Sequence, residues 1–183
     1  FSGGLVVEAG TLVARHAQAL GTGAVTVKAG AKLTIDASAG TVTAGSLLVD
    51  DGGLVDLGIG RLRITSKGSA ASIVTQILEA QGDGSWVGAT GLGSSSAAAA
   101  FAAGLQRRIG WLDNGDGSFT IAFAAPGDSN LDASVDILDV SDFVGGGAFN
   151  SSVTASWSNG DFTYDGVCDI LDLADFLSAA LFN

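Results

Sequence analysis

Two acidic segments near the C-terminus repeat each other, and they constrain the fold of this chain more than any other feature. Residues 127–143 read GDSNLDASVDILDVSDF, and residues 160–176 read GDFTYDGVCDILDLADF. Nine of the seventeen positions are identical, and the two copies begin 33 residues apart. A fold that contains this pattern twice has to place many carboxylates close together.

The spacing of the oxygen-bearing residues predicts two calcium loops. Calcium takes about six to eight oxygen ligands, and a twelve-residue loop supplies them from positions 1, 3, 5, 7, 9 and 12, with a backbone carbonyl at position 7. The first loop offers, in that order, Asp128, Asn130, Asp132, Ser134, Asp136 and Asp139. The second offers Asp161, Thr163, Asp165, Val167, Asp169 and Asp172. We expect two structural Ca²⁺ ions; the alternative is a pair of Asp-capped helices in a solvated acidic tail.

The distribution of charge agrees with a need for cations. The net charge is −11, and after Arg108 there is no Lys or Arg while twelve Asp follow. Such a surface repels nucleic acid and anionic lipid, so neither is expected as a partner. It also repels itself unless cations neutralise it. No uninterrupted apolar stretch is long enough to span a bilayer, and no membrane span is predicted.

A different repeat occupies the first part of the chain. Residues 4–10, 24–30 and 46–52 align, so that Leu5, Val25 and Leu47 occupy one position of a period of about 20 to 23 residues. A second strand in each copy is marked by Leu12, Leu33 and Leu54, and a third by residues 41–44 and 61–65. Alternating apolar and polar residues with Gly at the corners predict stacked strands. We expect a mainly β fold that begins with a short parallel β-solenoid of about three rungs; a β-sandwich of short hairpins is the alternative.

The sequence between the two repeats predicts a small α+β linker region. Residues 70–81 have the apolar spacing of an amphipathic helix, and Ser94 precedes a second, Ala-rich helix. Residues 113–117 read DNGDG between two apolar segments, which indicates a hairpin. We therefore predict three domains: solenoid repeats over 1–68, the linker region over 69–126, and a mostly helical calcium module over 127–183.

The tandem acidic pattern resembles the duplicated calcium loop of type I dockerins. Asp at position 12 in both loops, and the absence of a helix before each loop, match that family. Ala133 stands where Gly usually makes the sharp turn, and Thr163 replaces the usual Asn or Asp, so we expect slightly weaker calcium binding than in an ideal loop. In cohesin-binding dockerins positions 10 and 11 touch the partner. The resemblance places residues 137–138 and 170–171, an Ile-Leu pair in both cases, at those positions. These apolar pairs predict core packing between this module and the solenoid first, and a partner interface second.

A second resemblance covers the chain more loosely. Residues 110–118 and 122–128, together with the repeated DILD, are similar to the C-terminal region of large secreted planctomycete proteins. In those proteins this region follows autotransporter-associated β-strand repeats, which residues 1–68 also resemble. The resemblance implies a secreted or cell-surface location. The chain begins at Phe1 and contains no Met, which favours a processed product or a fragment.

These observations lead to three hypotheses about function. The first is a non-enzymatic structural or adhesive surface protein, stabilised by two calcium ions and self-associating through its solenoid ends, head to tail into filaments. The second is a dockerin-type module that docks to a cohesin-like partner. The third is a degenerate polysaccharide-active β-solenoid enzyme, ranked last because no catalytic constellation is visible in the sequence.

Overall fold

The computed structural model describes residues 1–66 and 68–179, and its fold class is α/β. Helices account for 25% of the chain and strands for 28%. The predicted mainly β solenoid is therefore wrong. The error arose because the class was assigned from the N-terminal repeat, whereas all four described α-helices lie after residue 69, where they hold more residues than the strands do, and one of the sheets is mixed. Lys67 and residues 180–183, which fall within the predicted first and third domains, lie outside the described residues.

Eleven strands in the described residues form three sheets. Their bounds are β1 Leu5–Val7, β2 Gly10–Ala14, β3 Ala24–Val27, β4 Ala31–Ile35, β5 Thr41–Ala44, β6 Ser46–Val49, β7 Leu54–Asp56, β8 Arg61–Ile64, β9 Gly91–Gly93, β10 Arg108–Asp113 and β11 Phe119–Ala124. Two sheets are parallel throughout, with orders β1-β3-β6 and β2-β4-β7-β9. The third has the order β10-β11-β8-β5 and is mixed, because β11 runs antiparallel to both of its neighbours.

The register of the parallel strands follows the sequence repeat in most places. Leu5 lies opposite Val25, and Val25 lies opposite Leu47. The alignment of Leu54 with Leu33 is wrong by one residue, because Leu54 pairs with Lys32. The shift keeps the alternation correct, since Val55 then lies opposite Leu33 and both side chains are fully buried.

The core lies between the sheets, where the alternating pattern places apolar side chains. Val25, Val27, Leu33 and Leu62 are completely buried. A glycine is required where successive turns of chain approach most closely: a methyl group on Gly45 would come within 2.2 Å of the Thr22 carbonyl oxygen. Close backbone stacking of this kind excludes any side chain.

Four α-helices lie in the described residues. Their bounds are α1 Ala70–Gln81, α2 Ser95–Ala102, α3 Ile137–Gly145 and α4 Ile170–Ser178. The structure confirms the predicted helix over 70–81 and the second helix, whose N-cap is Ser94. Both predicted calcium loops lead into helices, and the Asp at position 9 of each loop caps the helix that follows. None of the described helices has both the length and the apolar character needed to cross a membrane.

The predicted hairpin is β10 and β11, and it carries the C-terminal segment. Gly110 of β10 lies directly beneath the side chains of Leu131 and Trp157. Arg108 of β10 forms an ion pair with Asp175 of α4. Residues 127–179 are thus packed against the mixed sheet. The three domain boundaries stay a prediction.

Candidate metal sites

The first carboxylate of each acidic loop is held by two backbone N–H groups of its own loop. Asp128 accepts hydrogen bonds from the N–H groups of Asp132 at 3.0 Å and of Ala133 at 3.1 Å, one on each oxygen. In the second loop Asp161 accepts from Asp165 and Gly166, both at 3.1 Å. The loop therefore curls around its own position 1 in both copies, which is a consequence of the shared sequence pattern.

The carboxylate at position 12 closes each loop, and it is fully buried in both copies. Asp139 accepts from the N–H of Ser129 at 2.8 Å and, on its other oxygen, from the N–H of Asp136 at 2.8 Å. Asp172 accepts from residues 162 and 163 on one oxygen and from residue 169 on the other, at 2.8 to 2.9 Å. A carboxylate oxygen can accept more than one bond, so these contacts orient both groups and still leave lone pairs for a cation.

The remaining predicted ligands fall into two groups. Asp132 and Asp165, at position 5, are exposed and accept an N–H from position 7, Ser134 and Val167 respectively, at 2.9 Å. Asp136 and Asp169, at position 9, act as N-caps of α3 and α4 through one oxygen each.

Position 3 differs between the loops. Asn130 accepts the N–H of Asp132 at 2.8 Å and donates to the carboxylate of the same residue at 3.1 Å. The hydroxyl of Thr163 is buried and has no hydrogen-bond partner. A buried hydroxyl without a partner is costly and calls for an explanation. A calcium ion coordinated by the Thr163 hydroxyl oxygen would provide one.

The electrostatics of both loops point to missing positive charge. Burial raises the pKa of Asp128 to about 7; the N–H of Ala133 opposes this shift, and the carboxylates of Asp139 and Asp132 add to it. Burial likewise raises the pKa of Asp161 to about 6, where Gly166 opposes the shift and the carboxylates of Asp172 and Asp165 add to it. Each loop thus concentrates three carboxylates that repel one another.

The residues fit calcium by the chemistry of their donors. Each loop combines hard oxygens from carboxylates, an amide or a hydroxyl, and the backbone, which are the ligands that calcium prefers. Among the residues that the structure describes, no three His, Cys, Asp or Glu side chains form a group that could hold a metal ion by themselves. A calcium site in these loops also depends on Asn130, Thr163 and backbone carbonyls, and both sites stay a prediction.

An aromatic cluster between the two loops was not foreseen from the sequence. The Trp157 indole N–H donates to the Asp128 carbonyl oxygen at 2.7 Å, and its ring packs edge-on against Phe162 and in a stack with Tyr164. All three side chains are buried. Trp157 lies outside the duplicated segments, so only its aromatic character could have drawn attention to it.

Cys168, at position 8 of the second loop, forms an isolated parallel β-bridge with Phe149 in the connecting segment. The Asn150 N–H also donates to the Cys168 carbonyl at 2.8 Å, so the backbone of Cys168 is already used.

Comparison with protein-family models, with curated proteins and with solved structures finds no significant match.

The stability of the calcium-free protein is expected to depend on pH through Asp128 and Asp161. Their pKa values of about 7 and about 6 in the folded chain exceed the ordinary value of 3.8, so the folded state binds these protons more readily than the unfolded state. The free energy of unfolding then falls as the pH rises from the unfolded-state value toward the folded-state values. Without calcium, Tm measured by circular dichroism should decrease from about pH 4 to about pH 7.

The double variant Asp128→Asn with Asp161→Asn provides the control for this pH dependence. Its amides do not titrate, so its Tm should change much less over the same range. An identical pH dependence in the double variant and the parent chain would contradict the assignment.

A second prediction concerns position 6 of each loop, where the backbone is left-handed in both copies. Ala133 has φ 73° and Gly166 has φ 84°. A left-handed residue other than Gly costs about 1 kcal/mol or more. Ala133→Gly should therefore raise the free energy of unfolding by up to about 1 kcal/mol. Gly166→Ala should lower it by a similar amount, because a methyl group there meets no atom within 4 Å and only the backbone strain counts. Urea unfolding in saturating calcium measures both changes, and equal signs for the two variants would contradict the prediction.

Proposed function

We propose that this chain is a non-enzymatic structural or adhesive module of the cell exterior, in which two calcium ions hold residues 127–179 together. The observation that carries the proposal is the set of hydrogen bonds that both loops share at positions 1, 5, 9 and 12; at position 12 the second loop adds one from the N–H of Thr163. Two separate segments of chain adopt one donor arrangement around carboxylates. Capping of a helix alone does not require that arrangement.

The balance of charge within this segment supports the same proposal. Residues 127–179 contain ten Asp and no Lys, Arg or His. The ion pair of Asp175 with Arg108 neutralises one of these charges from outside the segment. The position-1 and position-12 carboxylates are all nearly or fully buried, and buried charges are stable only when they are paired or bound to a metal. Two divalent ions would supply the opposite charge.

An extracellular location follows from the expected affinity. A bidentate Glu at position 12 is usual in high-affinity loops, and here both residues are Asp. Ala133 adds strain to the first loop. Modules with weak sites bind calcium at about 0.1–1 mM, a range that suits the calcium concentration outside cells. We therefore place the protein in the secreted or surface-exposed class.

Isothermal titration calorimetry with calcium tests this proposal. We expect two binding events in the parent chain and one each in Asp128→Asn and Asp161→Asn. At a free calcium concentration about a hundredfold above Kd, each site should add about 2.7 kcal/mol to the free energy of unfolding. Chelation should accordingly lower Tm. Asp113→Asn is the matched control, because this hairpin Asp is exposed and accepts only the N–H of Gly115. The proposal fails if millimolar calcium gives no heat and no change in Tm.

Self-association is part of the proposal, and the edges of β1 and β2 support it. Each of these strands pairs on one side only within the described residues. The carbonyl of Val7 accepts the N–H of Lys28, and the carbonyl of Ala14 accepts the N–H of Asp36, so both point toward the neighbouring strand. Peptide groups alternate in direction along a strand, so those of Val6 and Val13 point toward the unpaired edge. At the opposite end of these sheets α1 packs against β9, and β11 of the hairpin pairs with β8. This arrangement favours pairing of two open edges over a head-to-tail filament.

A second candidate function is docking to a cohesin-like partner, and one observation favours it. The Ile-Leu pairs that open α3 and α4 are not buried against the sheets. Their exposed fractions are 74% and 58% for Ile137 and Leu138, and 65% and 60% for Ile170 and Leu171. Two matching apolar pairs on the surface are typical of an interaction site.

Capture of the chain by immobilised cohesin domains in calcium discriminates this second candidate. If the pairs form the contact, Ile137→Ser combined with Ile170→Ser should reduce capture at least tenfold, because apolar contact residues dominate such interfaces. Val87→Ser is the control, since Val87 is 76% exposed and lies far along the chain from both pairs. Failure of the parent chain to bind any cohesin would leave only the structural role.

A further inference from the structure

We infer that calcium binding docks residues 127–179 onto the outer edge of β10, and that the position-4 residues of the two loops, Leu131 and Tyr164, make this contact. The inference rests on the proposed function, because it assumes that the loops bind calcium. It goes beyond calcium binding itself, because it states that the ion controls whether the edge of β10 is covered.

Tyr164 covers the edge of β10 through its hydroxyl group. β10 is the outermost strand of the mixed sheet, so one side of it has no strand partner. The Tyr164 hydroxyl accepts the Ile109 N–H at 3.2 Å and donates to the Ile109 carbonyl at 2.8 Å. One side chain therefore satisfies both backbone groups of Ile109. The Tyr164 side chain is 5% exposed, and burial raises its pKa, so the hydroxyl keeps its proton.

Leu131 makes the equivalent contact from the first loop. Its side chain is 1% exposed and lies over Gly110, the next residue of β10. A methyl group on Gly110 would come within 2.4 Å of Leu131 Cδ2 and within 2.7 Å of the Trp157 ring, so Gly is the residue that permits the contact. Arg61 of β8 donates to the Leu131 carbonyl oxygen. The two loops thus hold adjacent residues of one strand.

The docking residues and the predicted ligands share the same short stretch of backbone. Position 4 lies between ligand positions 3 and 5, and it is left-handed in both loops, with φ 57° at Leu131 and 66° at Tyr164. This conformation, which side chains other than Gly adopt at a cost, turns the position-4 side chain toward the sheet. Without calcium the loop carboxylates repel one another. The loop then has less reason to hold this strained conformation, and the edge of β10 loses its cover.

Thermodynamic linkage makes the coupling reciprocal. If calcium favours docking, docking must favour calcium to the same degree. Removing the Tyr164 hydroxyl should therefore weaken calcium binding although the hydroxyl belongs to no predicted ligand. From the usual contribution of a buried hydrogen bond, we expect an increase of about three- to tenfold in Kd at the second loop.

Hydrogen exchange on the full chain, followed by mass spectrometry, measures the docking directly. We expect the peptide that covers β10 to exchange at least tenfold faster in chelator than in millimolar calcium, while the peptide that covers β3 and β4 changes little. In Tyr164→Phe, the β10 peptide should exchange faster in calcium than in the parent chain. Thr120→Val is the matched control. It also removes a hydroxyl from this hairpin, but that hydroxyl bonds only to the Asn114 side chain.

Calorimetry on the same samples separates the two proposals. Two calcium sites together with calcium-dependent exchange at β10 support docking, and a raised Kd in Tyr164→Phe supports the reciprocal link. Two calcium sites with the same β10 exchange in calcium and in chelator overturn the docking inference and leave the proposed function intact. Absence of calcium binding overturns both.

Gly110→Ala checks the contact independently of Tyr164: it should accelerate β10 exchange in calcium, and unchanged exchange there would count against Leu131 as a docking residue.

Discussion

The C-terminal third of this protein depends on how four buried carboxylates are kept apart and neutralised. Asp128, Asp139, Asp161 and Asp172 lie in a segment with no basic residue of its own. The chain meets part of this requirement with backbone N–H groups, which converge on each carboxylate and fix its direction. N–H dipoles orient a carboxylate but do not cancel its charge. Burial and the neighbouring carboxylates raise the pKa values of both position-1 groups, and the proposed divalent cation would offset this cost.

The same constraint shapes the packing between the two copies. The residue before each loop is a Gly that lies against an aromatic ring from the other copy's helix: Gly127 against Phe176, and Gly160 against Phe143. Both glycines have positive φ, and a Cβ at either would come within 2.8 Å of the facing ring. The copies therefore pack across a common aromatic core, to which Trp157 and Phe162 also belong. A change in one loop reaches the helix of the other through these contacts.

The sheets determine where this segment can attach. Each N-terminal repeat adds a parallel strand to a sheet, because its apolar and polar residues alternate in the same way as those of the neighbouring strand. The addition of β11 antiparallel to β8 ends that regular stacking in the mixed sheet. β10 then becomes an outer edge, and it carries Gly110, where a side chain would collide with Leu131 and Trp157 of the acidic segment. Gly110 thus leaves the space in which residues of the acidic segment pack against the mixed sheet.

The sequence by itself determined the features that depend on local spacing. Alternate oxygen donors followed by an Ile-Leu pair were enough to place the loops and the capped starts of α3 and α4. The period of the N-terminal repeat was enough to pair Leu5 with Val25. Ser94 was enough to mark the start of α2. In each case the interactions lie within a few residues, or recur with the period of the repeat, so the pattern of residue types carries the information.

Only the tertiary structure decided the features that depend on distant segments. The fold class was mispredicted because it was assigned from the N-terminal repeat, although the helices after residue 69 and the mixed sheet make the fold α/β. The bridge between Cys168 and Phe149 was not predicted, because Phe149 lies in a connecting segment with no recognisable pattern. The contacts of Tyr164 with Ile109 and of Trp157 with Asp128 join residues separated by 55 and 29 positions. Hydrogen bonds over such separations depend on how the sheet and the loops are placed in space, and residue spacing along the chain does not encode that placement.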